Sequence, residues 1–212
     1  MRLGRAGSKP LRRLTEDEIA AVHEAAHAAF ALLGKWTKLA GPVMLRGPGC
    51  GDVVMSTDVE AIRRSVEADP GFDRDLPRIE LVRALLAGPI AERMLAERKR
   101  TALGEEDLGD FSENDYATVA QQLAELDPPR PGLRHRLERE IRQRLEEPAL
   151  WSAIERFAAI LIERRRLEAE EATAILGPML APRSGRAVSG WRAALEGLRR
   201  AFSGGSRAGR NE

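Results

Sequence analysis

Two of the chain's three histidines fall within a single helical turn, in the run His23-Glu24-Ala25-Ala26-His27. Thr15 followed by Glu18 reads as a capping box, and Ile19, Val22, Ala26, Phe30 and Leu33 recur at intervals of three and four. The spacing therefore predicts a helix from Thr15 to Leu33. Side chains four apart on a helix stand one above the other, so His23 and His27 can offer imidazole nitrogens to one metal ion. Glu24 can then reach a metal-bound water without being a ligand itself, which is the physical content of the H-E-x-x-H pattern, and zinc suits that arrangement. Val22, Ala25, Ala26, Ala28 and Ala29 around the motif are uncharged in a chain that is 32% charged. Such a helix belongs inside the protein, where buried imidazoles need polar partners. Any fold for this chain must bring those partners to the middle of a buried helix.

The frame around the motif is that of a globular protein. At 212 residues and 43% hydrophobic content the chain can bury one substantial core plus an appendage. No apolar run approaches the roughly 20 residues that span a bilayer, and the N-terminus lacks the apolar core of a signal peptide. A cytoplasmic location is expected. The single cysteine, Cys50, excludes an internal disulfide framework, agrees with a reducing compartment, and reads as a loop residue. Residues 181–212 hold seven Arg against two acids, which leaves residues 1–180 with four more acids than bases. With a mildly acidic body and a basic tail, no nucleic-acid partner is expected.

After the first helix the pattern turns extended. Leu39–Arg46 and Asp52–Ser56 flank the glycine-dense Gly47-Pro48-Gly49-Cys50-Gly51 and read as a β-hairpin, the one strand signal in the sequence. Its free edge could receive an extended peptide through main-chain hydrogen bonds. Helices are expected at Asp58–Ala68, at Ile79–Arg98 with a kink at Gly88-Pro89, at Leu133–Glu146, at Pro148–Arg164 and at Glu168–Leu176, the last closing at Gly177-Pro178. An acidic loop, Gly104–Asp110, precedes another helix with Ser112 as N-cap, Asp115 at the third helical position and Phe111 with Tyr116 as a staple. The expected fold is mainly α with one small hairpin beside the metal-binding helix. Its domains are an N-terminal extension over 1–14, a compact body over 15–180, and a basic, partly disordered tail over 181–212. That tail contains an amphipathic helix at 189–202.

A catalytic zinc usually has three protein ligands and one open position. On residue chemistry alone Asp115, Glu92, Asp107 and Asp110 are all candidates for the third, while His135, among Arg134, Arg136, Glu138 and Arg139, reads as a solvated side chain. The order of His-Glu-Ala-Ala-His, the hairpin, Leu86-Ala87-Gly88-Pro89-Ile90-Ala91-Glu92 and Ser112-Glu113-Asn114-Asp115-Tyr116-Ala117-Thr118 resembles the peptidase domain of the FtsH family of zinc metalloproteases. The resemblance spans about residues 15 to 180. It implies His23, His27 and Asp115 as zinc ligands and Glu24 as general base. The sequence departs from the family in carrying Gly88-Pro89 for Gly-Arg, in a longer acidic loop, and in showing neither an ATPase domain nor a membrane anchor.

The expected function is zinc-dependent endopeptidase cleavage of unfolded or flexible polypeptides, independent of ATP for this chain by itself. A separate ATPase or adaptor is the partner such an activity would use. The alternative expectation is an inactive, metal-stabilised interaction module on the same frame.

Overall fold

The computed structural model describes residues 14–99 and 111–181. The chain divides into two units, Met1–Leu180 and Ala181–Glu212. Residues 1–13 of the expected N-terminal extension, the loop at 104–110 and the expected tail helix at 189–202 lie outside the described residues.

The first helix, α1 (Glu16–Leu33), starts where Thr15 Oγ1 accepts the Glu18 N–H at 3.2 Å and the Glu18 carboxylate accepts the Thr15 N–H at 2.9 Å. Every residue from Ala20 to Ala31 is buried. The predicted apolar stripe is therefore only part of the contact surface: alanines on the remaining sides make α1 apolar all round, which is the signature of a central helix. Methyl side chains let neighbours approach closely, and the sheet and the helices Leu76–Lys99 and Pro148–Arg164 pack against it.

The hairpin consists of β1 (Thr37–Gly47) and β2 (Cys50–Thr57), antiparallel, with Val43 opposite Val53. They are joined by Pro48-Gly49, where Gly49 takes the left-handed φ of 67°, a conformation that costs glycine little. Cys50 is the first residue of β2 rather than part of a loop. The pairing is irregular between Leu39 and Val43, around Gly41-Pro42, as a proline without an N–H requires. A third strand, β3 (Arg166–Leu167), pairs with the other edge of β1, giving the order β2-β1-β3 and correcting the expectation of a hairpin alone. Two residues are too few to show alternation. Arg165, at φ 62°, ends the preceding helix and turns the chain directly into this strand.

The remaining helices are α2 (Val59–Ala68), α3 (Leu76–Lys99), α4 (Phe111–Ala124), α5 (Leu133–Leu145), α6 (Pro148–Arg164) and α7 (Ala169–Leu180). Asp58 caps α2, its carboxylate accepting the N–H groups of Glu60 and Ala61. α3 runs through Pro89 without interruption. α7 also passes its Gly177-Pro178, four residues beyond the expected end, because the carbonyl that Pro178 leaves without a donor belongs to Ala174 on the exposed side. α4 starts at Phe111, so Ser112 is inside the helix rather than its N-cap. The Phe111 side chain of the expected staple lies outside the described residues. Leu137, Ile141 and Leu145 of α5 and Ile154, Phe157 and Leu161 of α6 complete one core around α1. No helix among the described residues is long and apolar enough to cross a membrane.

Candidate metal centre

Three helices meet at the middle of α1. His23 and His27 project side by side, their rings edge-on with centroids 4.6 Å apart. α3 crosses behind them and presents a ladder at intervals of four: Ala84, Gly88 and Glu92. The Ala84 carbonyl accepts from His27 Nδ1 at 2.7 Å, and Glu92 Oε2 lies 3.0 Å from His23 Nδ1. Between these two anchors the residue that faces the rings is Gly88, which has no side chain. A Cβ at Gly88 would lie 2.4 Å from His27 Nε2 and 2.7 Å from His23 Nε2, so only glycine leaves room for the rings.

The partners at Nδ1 decide what the other ring nitrogens can do. A carbonyl can only accept, so His27 carries its proton on Nδ1, and the Glu92 carboxylate assigns the same tautomer to a neutral His23. Both Nε2 lone pairs then face the open side, where α4 delivers Asp115. Its Oδ2 lies 3.0 Å from His23 Nε2 and 3.2 Å from His27 Nε2, while the two nitrogens are 2.9 Å apart. Three acceptors converge on one point. That is the electrostatic requirement of a cation, and the buried group His23, His27 and Asp115 could hold a metal ion.

In the absence of a cation, a proton must separate these atoms. Burial disfavours the His23 imidazolium, but hydrogen bonds to Asp115 and Glu92 and the nearby carboxylate charges outweigh it and push the pKa up to about 10. Asp115 is moved the opposite way: burial would raise it, yet hydrogen bonds to both histidines hold its carboxyl well below the usual range. Glu24 is buried beside the pair, and desolvation raises its pKa against the opposing influence of His27 and His23, with Asp115 and Asp52 adding to the rise. Its carboxylate packs on β2, where a Cβ at Gly51 would come 2.5 Å from Oε1. The Asp115 side chain is 19% exposed against 5% and 3% for the histidines, so the centre opens towards α4.

No protein-family model and no curated protein matches this chain.

The structure brings His23, Glu24, His27 and Asp115 together and sets Glu92 apart from their common point. Glu92 is bonded to the far nitrogen of His23, where it orients the ring instead of facing the common point. Asp107 and Asp110 lie outside the described residues. His135 is exposed on α5 beside Glu138, as its charged surroundings predicted. Capping is not the role seen for Ser112 and Asp115: the Ser112 hydroxyl approaches Glu92 Oε2 at 3.4 Å, and Asp115 faces the histidines. Sequence reasoning missed Ala84 and the true parts played by Gly88 and Glu92. The available signal was their spacing of four, which matches that of His23 and His27 on the facing helix.

Proposed function

We propose that the chain is a zinc-dependent endopeptidase of the FtsH-like type, with His23, His27 and Asp115 holding the metal and Glu24 as general base. The convergence of two Nε2 lone pairs and one carboxylate oxygen carries this reading. The edges of that triangle, 2.9 to 3.2 Å, approach the about 3.3 Å between ligand atoms in a tetrahedral site with bonds of roughly 2.0–2.1 Å. Among the described residues no fourth ligand joins the group, the pattern of a centre that keeps a position for water. When bound there, zinc would lower the pKa of that water to roughly 7 and polarise a carbonyl oxygen.

The chain's own residues have separate tasks. Glu24, whose burial makes its carboxylate a stronger base than an exposed one, accepts the proton of the attacking water and returns it to the leaving amine. Glu92 and the Ala84 carbonyl fix the ring tautomers, and Gly88 leaves space for them. β2 pairs with β1 along one edge, and among the described residues nothing pairs with the other. An extended substrate hydrogen-bonded to that edge would pass Gly51, and thus Glu24. Main-chain recognition of this kind suits unfolded or flexible polypeptides of varied sequence.

A second reading, a metal-stabilised interaction module without turnover, draws on the low exposure of His23, Glu24 and His27. An unstructured polypeptide such as casein, incubated with zinc-loaded wild-type protein and with Glu24→Gln, separates the two. Cleavage by the wild type, unaffected by ATP and lost in a variant that retains its zinc, supports the peptidase. No cleavage by either, with about one zinc per chain in both, supports the module.

A further inference from the structure

The third ligand of the centre stands on its least embedded helix. Among the described side chains of α4 a single apolar one, Val119, is wholly buried, with Tyr116 and Leu123 half-buried, whereas α1 and α3 are enclosed along most of their length. Successive helical residues point about 100° apart. A small rotation of α4 about its axis therefore carries the Asp115 carboxylate away from the histidines, and a contact that fixes this rotation fixes the ligand. The residue after Asp115 makes such a contact. The Tyr116 ring lies under two guanidinium groups from different helices, Arg134 of α5 at 4.7 Å and Arg93 of α3 at 5.8 Å from its centroid. Arg134 is held in turn by Glu138, at 2.9 Å through Nε. No hydrogen bond within 3.5 Å reaches the buried Tyr116 hydroxyl, and the Arg93 guanidinium that acts on it also stands over the ring, so the ring face is the contact that both arginines share.

We propose that Tyr116 is a positioning residue of the metal centre: its ring, clamped by Arg93 and Arg134, sets the rotation of α4 and so delivers Asp115 to His23 and His27. The proposal rests on the metal-site reading above. Each guanidinium is attracted to the face of the ring, and any loss of docked population that follows its removal appears directly as loss of apparent metal affinity.

Cobalt(II), whose visible spectrum reports its coordination geometry, is the probe for wild-type protein, Tyr116→Phe, Tyr116→Leu and the double variant Arg93→Met/Arg134→Met. Tyr116→Phe keeps the ring and is expected to bind with wild-type affinity and spectrum. Tyr116→Leu keeps apolar bulk but loses the π face, so its affinity should fall about tenfold, with a weakened four-coordinate spectrum. The double arginine variant should follow the Leu variant, and it decides the matter if the latter does not fold. Wild-type affinity and spectrum in both the Leu and the arginine variants overturn the clamp, as does a Phe variant as impaired as Leu. Asp115→Asn distinguishes the underlying reading: if it binds cobalt as tightly as the wild type, the metal site itself is wrong, whatever Tyr116 does.

Discussion

Replacing Gly88 by alanine sets two effects of opposite sign against each other. In the interior of a helix the change from glycine to alanine ordinarily stabilises by about 1 kcal/mol. Here the new methyl carbon would stand 2.4 Å from His27 Nε2, 2.6 Å from its Cε1 and 2.7 Å from His23 Nε2. Ordinary contact needs about 3.5 Å, so both rings must retreat by about 1 Å. They cannot do so while His27 Nδ1 keeps its 2.7 Å bond to Ala84 and His23 Nδ1 its 3.0 Å contact with Glu92. Overpacking of this kind costs about 1–3 kcal/mol, which leaves a net loss of roughly 0–2 kcal/mol in fold stability. Metal affinity should suffer more. Loss of one orienting partner costs about 10- to 100-fold. A change that disturbs both rings and intrudes on the common point should reach at least the upper value, about 2.7 kcal/mol. Zinc competition against a chromophoric chelator measures this, with thermal unfolding of the metal-free protein alongside. Gly177→Ala in α7 is the matched control: nothing lies within 4 Å of its added Cβ, so it should gain stability and keep its zinc affinity. Wild-type zinc affinity in Gly88→Ala would falsify the assignment of the Nε2 atoms as ligands.

The same geometry ranks the carboxylates: Asp115→Asn should lose zinc far more severely than Glu92→Gln, and the reverse order in a competition titration would make Glu92 the ligand. Removing zinc with a chelator should lower the melting temperature by about 5–10 °C relative to protein at a hundredfold excess over its dissociation constant. An unchanged melting curve would mean that the folded state does not bind the metal preferentially. Glu80, remote from the centre, supplies a pH test. Burial raises its carboxyl pKa even though it accepts the Trp36 N–H at 2.7 Å. A raised folded-state pKa means that stability is fully present below the unfolded value, near 4.5, and is lost as pH rises through the folded value. Wild type should therefore weaken relative to Glu80→Gln as pH rises above 4.5, and parallel melting profiles of the two proteins on that side would contradict the assignment.

How much of this was legible in the sequence depends on what each element needed. α1, the hairpin and α2 carry local signals, a capping box, a glycine turn and an aspartate cap, and each forms within a residue or two of its predicted bounds. β3 carries none, because its two residues pair with β1 only after α6 has turned the chain at Arg165. α4 shows how two residues can match one local rule and serve another end. Ser112 and Asp115 have the spacing of a cap and its third helical position, but Ser112, Asp115 and Val119 also share the face of α4 that meets α1 and α3. The burial of Val119 and the convergence on the histidines take precedence there over the helix end.

The centre itself was half legible for a related reason. A sequence motif names residues on one element, and His23, Glu24 and His27 needed only the periodicity of α1 to be placed. A ligand-orienting shell is built across elements, and its members are visible only when two periodicities are compared. Ala84, Gly88 and Glu92 repeat at four against a histidine pair that repeats at four, which is the condition for two helices in contact to meet at every turn. Within that ladder chemistry assigns the order: a carbonyl that accepts, a gap that admits the rings, a carboxylate that accepts. Pro89 belongs to the same logic. It removes the N–H that would have bonded the Leu85 carbonyl, but not the Ala84 carbonyl on the adjacent face, which is committed to His27. Gly88-Pro89, which as sequence suggests a kink, is thus a place where a helix continues while yielding its side-chain volume to the two imidazoles beneath it.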